Sequence, residues 1–513
     1  MRKNPYGSQM RMVFVVVVSV LFFMTGHALA GGKLSSLEEE AAGAAPMEMT
    51  LAEAVNVALR SNRTIKSAFL TRVVQKFDLA VARDKFNPDV NLNATAGYSG
   101  SQAQISDPST SESSSNLSLT TTATASKRIE TGGTFTFSWS RADELSNSSG
   151  SAENRSAANN WTVNFSHPLL KGAGVAVNTA SVTLAELSEQ SNLLSHRDTI
   201  ISTVNSTIQA FRSYARSVRS LDISSASLER SRANLEMNRL LISLGRMPAN
   251  EIIQSESDVS NQEFSHEVAL NSMANARISL LKVLDLPQDT QILPVEETDM
   301  SPVHPDLDDC LALAFANRSD YLNAKMAVDR ARINLVLARD NKKWALDLVS
   351  GYTYRDNYHR ISADMDNHAW QVGLNLQIPL YGDMTREQTL LSAETSLKQT
   401  QIHLEEIRQN IALEVRDAVR EVETRLKQVG MAERSRKLAE KKLAVEKEKL
   451  TLGRTTNFQL VSFQNDLVDR QNAELNARVD YLNALTALDT ILSTTLKTWR
   501  IDYNKEYDRW PGK

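Results

Sequence analysis

What the sequence lacks narrows the choices before any motif is sought. Its 513 residues hold one cysteine, Cys310. No disulfide can therefore close within the chain, and no cysteine-based metal site can form in one copy. Proline (12) and glycine (19) are sparse for the length, and aromatic residues make up 6%. That balance fits long helices better than an all-β protein. Acids and bases nearly cancel, at a net charge of −4, so the overall balance offers no basic surface for nucleic acid. After Ala30 no apolar run reaches ~18 residues, the length of a spanning helix. If the chain crosses a bilayer, strands must do it. Length alone allows roughly two to four domains.

The first 30 residues read as a signal peptide. Arg2, Lys3 and Arg11 precede an apolar run from Met12 to Met24, and Ala28-Leu29-Ala30 supplies a small-x-small cleavage pattern. No cysteine sits at the cleavage point, so there is no lipoprotein acylation site. The alternative is an uncleaved anchor, but the run is short for one.

The remainder repeats itself. Helices are expected from Met49 to Asp84 and from Asp306 to Asp340, with Ala-Arg-Asp at the same offset in each. Trp161 to Leu169 is echoed by Trp370 to Leu380, each ending in Pro-Leu. Leu244-Gly245-Arg246 is matched by Leu452-Gly453-Arg454. Six residues beyond each glycine stand Glu251 and Gln459, then a branched aliphatic pair, then Asp258 and Asp466 at equal distance. Four landmarks in one order imply a duplication. The first repeat covers 31–285, the second 306–500, and a linker with four prolines occupies 286–305. A tail, 501–513, follows.

Between the helices the pattern has period two, the strand signal. Val90, Leu92, Ala94, Ala96 and Tyr98 alternate with Asn91, Asn93, Thr95 and Gly97. Similar rows run through Leu117–Ala125, Phe135–Trp139 and Trp161–Phe165 in the first repeat (strands within 87–168), and through Leu346–Tyr354 and Trp370–Ile378 in the second (within 344–379). Alternation alone fits a soluble sandwich or a membrane barrel. Three features favour the barrel: an export signal, aromatics near strand ends, and Ser/Asn-rich connections at 101–116 and 145–160 opposite a tight turn at Ile129–Gly133. Six strands cannot enclose a water-filled passage, so several copies would share one barrel.

No proline interrupts Asn178–Leu244, Asp383–Leu452 or Thr455–Arg500. A helix of ~65 residues is ~100 Å long, too long for a compact domain. Apolar residues recur every seven positions at Leu187, Leu194, Ile201 and Ile208, at Leu390, Leu397, Leu404 and Ile411, and at Val461, Val468, Leu475 and Leu482. Such rows predict coiled-coil packing. Gly245 and Gly453 read as hairpin tips, because glycine accepts the left-handed conformation that ends a helix.

The assembled pattern resembles the TolC-like outer-membrane factor family over nearly all of the mature chain. The resemblance rests on the paired helix starts near Leu51 and Leu307, the strand exits at Pro168–Gly172 and Pro379–Gly382, and the tips at Gly245 and Gly453. It implies an α+β membrane protein: a homotrimer whose outer-membrane β-barrel continues into a long periplasmic coiled-coil helical barrel. It also implies a passive duct for efflux or type I secretion, joined at its tips by a periplasmic adaptor and served by an inner-membrane transporter. Leu244, Gly245, Arg246, Leu452, Gly453 and Arg454 carry over as adaptor-contacting tips. Gate candidates are Glu251, Asp258, Gln459, Ser462 and Asp466, with Arg246 and Arg454 as donors. Barrel-to-helix transitions fall at Pro168, Gly172, Pro379 and Gly382. The sequence departs from the family in two ways. The usual plan has two strands per repeat, whereas four are expected here in the first, giving eighteen in a trimer. The positions just beyond the second tip glycine, often acidic in the family, hold Gln459 and Ser462.

No catalytic motif accompanies this plan. The histidines are scattered with no metal-binding helical spacing, and neither a phosphate loop nor a nucleophile motif occurs. No enzyme activity and no cofactor are expected. A periplasmic coiled-coil adaptor is the rival reading, since it too would be exported with long hairpins. It would have one hairpin and no duplicated alternating strands.

Overall fold

The computed structural model describes residues 47–104, 111–148, 153–295, 301–359, 365–382, 384–452 and 454–501. The expected signal peptide, Gly453 and the tail from 502 lie outside them. Residues Glu48–Gln288 and those from Ile292 onward form one compact unit, to which everything below refers; Met47 and Asp289–Gln291 fall in a second.

The helices come in two matching series. The first comprises α1 (Leu51–Ser61), α2 (Arg63–Asp84), α3 (Ala180–Ser243) and α4 (Glu251–Leu284). The second comprises α5 (Leu307–Asn317), α6 (Ser319–Asn341), α7 (Met384–Thr451) and α8 (Asn457–Ile491). Their lengths are 11, 22, 64 and 34 residues against 11, 23, 68 and 35, so the repeat extends to all eight of these helices. Different residues perform the same local task. Thr50 starts α1 through a capping box: its hydroxyl accepts from the Glu53 N–H, and the Glu53 carboxylate accepts from the Thr50 N–H at 2.8 Å. Asp306 starts α5 by accepting from the N–H groups of Asp308 and Asp309.

The helix expected at each repeat's start is in fact two. Asn62 leaves the helical region (φ −59°, ψ 127°), and its side-chain oxygen accepts from Thr64 N–H at 2.8 Å. A short polar side chain thus competes with the helix for its donors. The Asn62 amide also donates to the Val283 carbonyl, tying the break to α4. Arg318 occupies the same place in the second repeat without capping; ion pairs to Asp320 and Glu414 hold it.

Six strands form one antiparallel sheet in sequence order: β1 (Asp89–Gln104), β2 (Ser111–Arg128), β3 (Thr134–Ser148), β4 (Asn154–Pro168), β5 (Ala345–His359) and β6 (Met365–Gln377). Four come from the first repeat and two from the second. Of the long connections expected at 101–116 and 145–160, residues 101–104, 111–116, 145–148 and 154–160 are strand instead, and 105–110 and 149–152 lie outside the described residues. The backbone ladder runs from Asp89↔Ser126 to Gln104↔Ser111, because Ser and Asn there pair as well as any residue once the register is set. One ladder line joins Val90, Ala125, Phe137, Val163, Tyr352 and Trp370, and a second joins Leu92, Ala123, Trp139, Trp161 and Tyr354. Trp139 and Trp161 approach to 5.9 Å between ring centres. The intervening line, Asn91, Thr124, Ser138, Thr162 and Thr353, points the other way. The sheet is open, with β1 and β6 each paired on one side only.

The deepest packing lies where the short helices meet the long ones. Leu51, Ala54, Val55 and Ala58 of α1 pack on Ile200, Val204, Ile208 and Phe211 of α3 and on Leu280, Leu281 and Leu284 of α4. Cys310 and Ala314 of α5 pack likewise on Ile411, Val415 and Val422 of α7 and on Tyr481 and Leu488 of α8. The heptad rows follow this: Ile201, Ile208 and Ile411 are buried, while Leu187, Leu194, Leu390, Leu397 and Leu404 are half-buried. Replacing Leu281 by alanine is predicted to cost about 2–5 kcal/mol. Replacing the exposed Leu391 should cost within about 0.5 kcal/mol. The midpoint of urea unfolding followed by helical circular dichroism separates the two; equal losses would mean that this cluster does not carry the fold.

Candidate functional site

The two long hairpins share one turn bond at the same offset. Leu244 ends α3, and Gly245 adopts φ +67° with open space around it. The Arg246 N–H then donates to the Leu241 carbonyl at 2.9 Å and the Gly245 N–H to Ile242 at 2.9 Å. This is the paired-bond stop that uses a left-handed glycine. In the second hairpin the Arg454 N–H donates to the Lys449 carbonyl at 2.9 Å, the same bond at the same offset; Gly453 itself lies outside the described residues. Leu244 and Leu452 are exposed, and Ile253 and Phe458 add two more exposed apolar side chains at the tips.

Just above the turns the helices are joined by buried polar groups. The Asn234 amide donates to the Asn457 oxygen at 2.9 Å, and the Asn457 amide donates to the Ser255 hydroxyl at 3.0 Å. The Asn238 amide reaches the same hydroxyl at 2.8 Å. Asn238, Ser255 and Asn457 are all essentially inaccessible. These contacts join α3 and α4 of one hairpin to α8 of the other, so they sit where the hairpins would part. Sequence reasoning missed this lattice. Its signal is the run Ser227, Ser231, Asn234, Asn238, spaced four, three and four: polar residues in the core positions of a heptad.

In the second hairpin the buried position seven before the glycine is Glu446, matching Asn238 in the first. It accepts from the Thr455 hydroxyl and from Lys449, closing the turn on itself.

The gate candidates fall into different settings. Asp258 is buried and accepts from the Ser231 hydroxyl at 2.6 Å, so it belongs to the interior of the first hairpin and not to an exposed ring. Asp466 pairs within its own hairpin, with Lys442 at 3.5 Å and Arg470 at 3.2 Å. Glu251 and Gln459 are half-buried at the starts of α4 and α8, and Ser462 is exposed. Arg246 and Arg454 are exposed and meet no acidic partner among the described residues. The structure of one chain therefore does not bring these arginines to Glu251 or Asp466.

The exits from the sheet are built differently in the two repeats. After Pro168, the Gly172 N–H donates to the buried Asp340 carboxylate at 2.7 Å, and the Asn178 amide donates to the Gly172 carbonyl. Gly132 turns against this knot, where a Cβ would come within 2.5 Å of the Gly172 oxygen. Asp340 is the aspartate of the second Ala-Arg-Asp copy; its counterpart Asp84 is exposed and accepts from the Asn87 amide. After Pro379, Gly382 takes φ +86° in open space. Among the described residues no three His, Cys, Asp or Glu side chains converge as a metal site would require, and no helix is long and apolar enough to cross a membrane.

The Glu446 turn yields a pH dependence. The Thr455 hydroxyl first, then Lys449, hold the Glu446 carboxyl below its ordinary value. A carboxylate with a depressed folded pKa stabilises above its ordinary pKa of about 4.3, and the contribution is lost as pH falls through the lower folded value. Hydrogen-exchange protection at 446–457 should therefore fall on acidification below about pH 4.3. Glu446→Gln should remove that dependence; a variant that keeps it would absolve Glu446.

Comparison with known proteins agrees with this geometry. Residues 310–494 match the model of the outer membrane efflux protein family. No curated protein sequence matches the chain. Among solved structures, the Campylobacter jejuni CmeC outer membrane channel is similar over 90% of this chain and 89% of its own, at 13% identity and TM-score 0.62. The outer membrane protein VceC from Vibrio cholerae covers 86% of this chain and 95% of its own, at 15% identity and TM-score 0.62. The open-state Neisseria gonorrhoeae MtrE outer membrane channel covers 86% and 88%, at 15% and 0.60. The match to the outer membrane efflux protein family thus covers residues 310–494, and the chain as a whole shares the fold of the CmeC, VceC and MtrE structures.

Proposed function

We propose that the protein is the outer-membrane duct of a tripartite efflux or type I secretion system. It passively carries substrates from an inner-membrane transporter across the periplasm and outer membrane. The single observation that supports this most is the open six-stranded sheet, apolar on one face and hydroxyl- and amide-lined on the other, carried on two long hairpins. An isolated sheet edge is untenable in lipid, so the reading requires several copies, a homotrimer in the form carried over from the family, to close one barrel. Its apolar face then meets lipid and its polar face lines water. The duct needs no cofactor and performs no reaction. The two-hairpin plan and the sheet argue against a periplasmic adaptor, which needs neither.

The tips are the proposed meeting point with the adaptor, through Leu244, Gly245, Arg246, Leu452, Gly453 and Arg454. Exposed Leu244, Ile253, Leu452 and Phe458 give that surface its apolar component. Opening requires the hairpins to part, and a partner can drive this only by binding the open state better than the closed one. Glu251, Gln459 and Ser462 remain proposed gate positions, with Asp466 as an acceptor for arginines of a neighbouring copy.

Fractionated membranes and planar-bilayer recording test the reading. The protein is expected in the outer membrane, with a small resting conductance that rises when Arg246 and Arg454 are both replaced by alanine. An unchanged conductance removes the arginines from the gate. A soluble periplasmic protein without conductance overturns the duct.

A further inference from the structure

The two edges of the sheet carry enough pattern to say how they meet. Tyr98 on β1 and Trp370 on β6 are 76% and 77% exposed, whereas Phe137 and Trp161 on the inner strands of the same face are 38% and 43%. Both edge strands present a full backbone ladder with no neighbour on one side.

The apolar row does not keep one ladder level across the sheet. On β1 it spans Val90 to Tyr98, and on β6 it starts at Trp370 and runs past Leu376. Tyr98 and Trp370 both lie toward the sheet end that holds the 105–110 and 360–364 connections. Yet the ladder line through Trp370 passes Tyr352, Val163, Phe137 and Ala125 and arrives at Val90, eight residues short of Tyr98. Tilted strands account for this, because an apolar band level with a bilayer then cuts the ladder on a slope. If Trp370 lies opposite Tyr98 of the next copy, the line climbs eight residues over six steps, and at ~3.3 Å per residue and ~4.8 Å between strands that register implies a tilt of roughly 40°. Membrane barrels tilt by about 35–45°.

We infer that β6 of one copy pairs antiparallel with β1 of the next, with Trp370 opposite Tyr98 and Leu376 opposite Leu92. This rests on the shared-barrel reading and adds its seam. In this register the whole of β6 finds backbone partners within β1. On the polar face Gln377 meets Asn91, Asn375 meets Asn93, and Gly373 meets Thr95, a glycine opposite a larger residue as Gly351 is opposite Asn164 within one copy. A slip of two residues one way sets Gly373 against Gly97 and Trp370 against Gly100, with nothing to pack. A slip of two the other way leaves Tyr98 opposite His368, past the end of the apolar row. A slip of one turns every side chain to the wrong face.

Cysteine pairs in outer-membrane vesicles test the seam. Directly opposite Cβ atoms lie ~4.5–5.5 Å apart and diagonal ones ~7–8 Å, and a disulfide spans only about 3.5–4.5 Å between Cβ atoms. On mild oxidation, Tyr98→Cys with Trp370→Cys should give covalent oligomers up to the native copy number. Tyr98→Cys with Val372→Cys, and Ala96→Cys with Trp370→Cys, should give several-fold less. Each single variant controls for Cys310, which is buried. Stronger cross-linking through either slipped pair overturns the register, as does an oligomer by native mass that none of the pairs cross-links. A single-chain mass in detergent, with no cross-link anywhere, overturns the shared barrel beneath it.

Discussion

Backbone hydrogen bonding at the two sheet edges governs the rest of this molecule. Among the described residues each strand pairs with its neighbours in sequence order, yet β1 and β6 each leave one side unpaired. In water such an edge is a hazard for aggregation; in hydrocarbon each unpaired group costs several kcal/mol. A six-stranded sheet of this tilt cannot curl onto itself around a water-filled space. In the proposed duct, where the apolar face meets lipid, these edges require further copies to close the wall.

The helices meet a related constraint by other means. A helix of 64 or 68 residues satisfies its own backbone but cannot bury its apolar rows alone. The short helices α1 and α5 cover the middle of each hairpin, and the two largest apolar clusters among the described residues form there. Toward the tips a smaller apolar cluster of Ala439, Leu443, Leu460 and Leu467 is joined by the Asn234–Asn457–Ser255–Asn238 contacts and the Glu446–Thr455 closure. Buried polar pairs contribute less than apolar packing but specify geometry, and a change of partner undoes them at modest cost. Such a join suits hairpins that must hold a closed arrangement and release it.

Much of this was legible in the residues, for reasons that can be named. Period-two rows such as Val90–Tyr98 and Trp370–Ile378 mark strands because one face must stay apolar. Leu-Gly-Arg marked the first tip because φ +67° at Gly245 suits glycine. Other features were illegible because their residues are ambiguous. Ser and Asn at 101–116 read as loop, but nothing in a serine forbids a ladder once Leu117 and Tyr98 set the register. Asn62 and Arg318 break helices that the apolar pattern runs straight through. Asp258 reads in the sequence as a gate candidate, and the structure adds what sequence does not show, its bond from Ser231 inside the first hairpin.

The most direct test is a map of the detergent- or nanodisc-embedded particle that resolves individual strands. One continuous barrel of eighteen strands around a single lumen, with the long hairpins extending from it, is the expected result. Fewer strands in the closed wall, or separate six-stranded sheets packed face to face in a water-soluble particle, would contradict a barrel shared between copies.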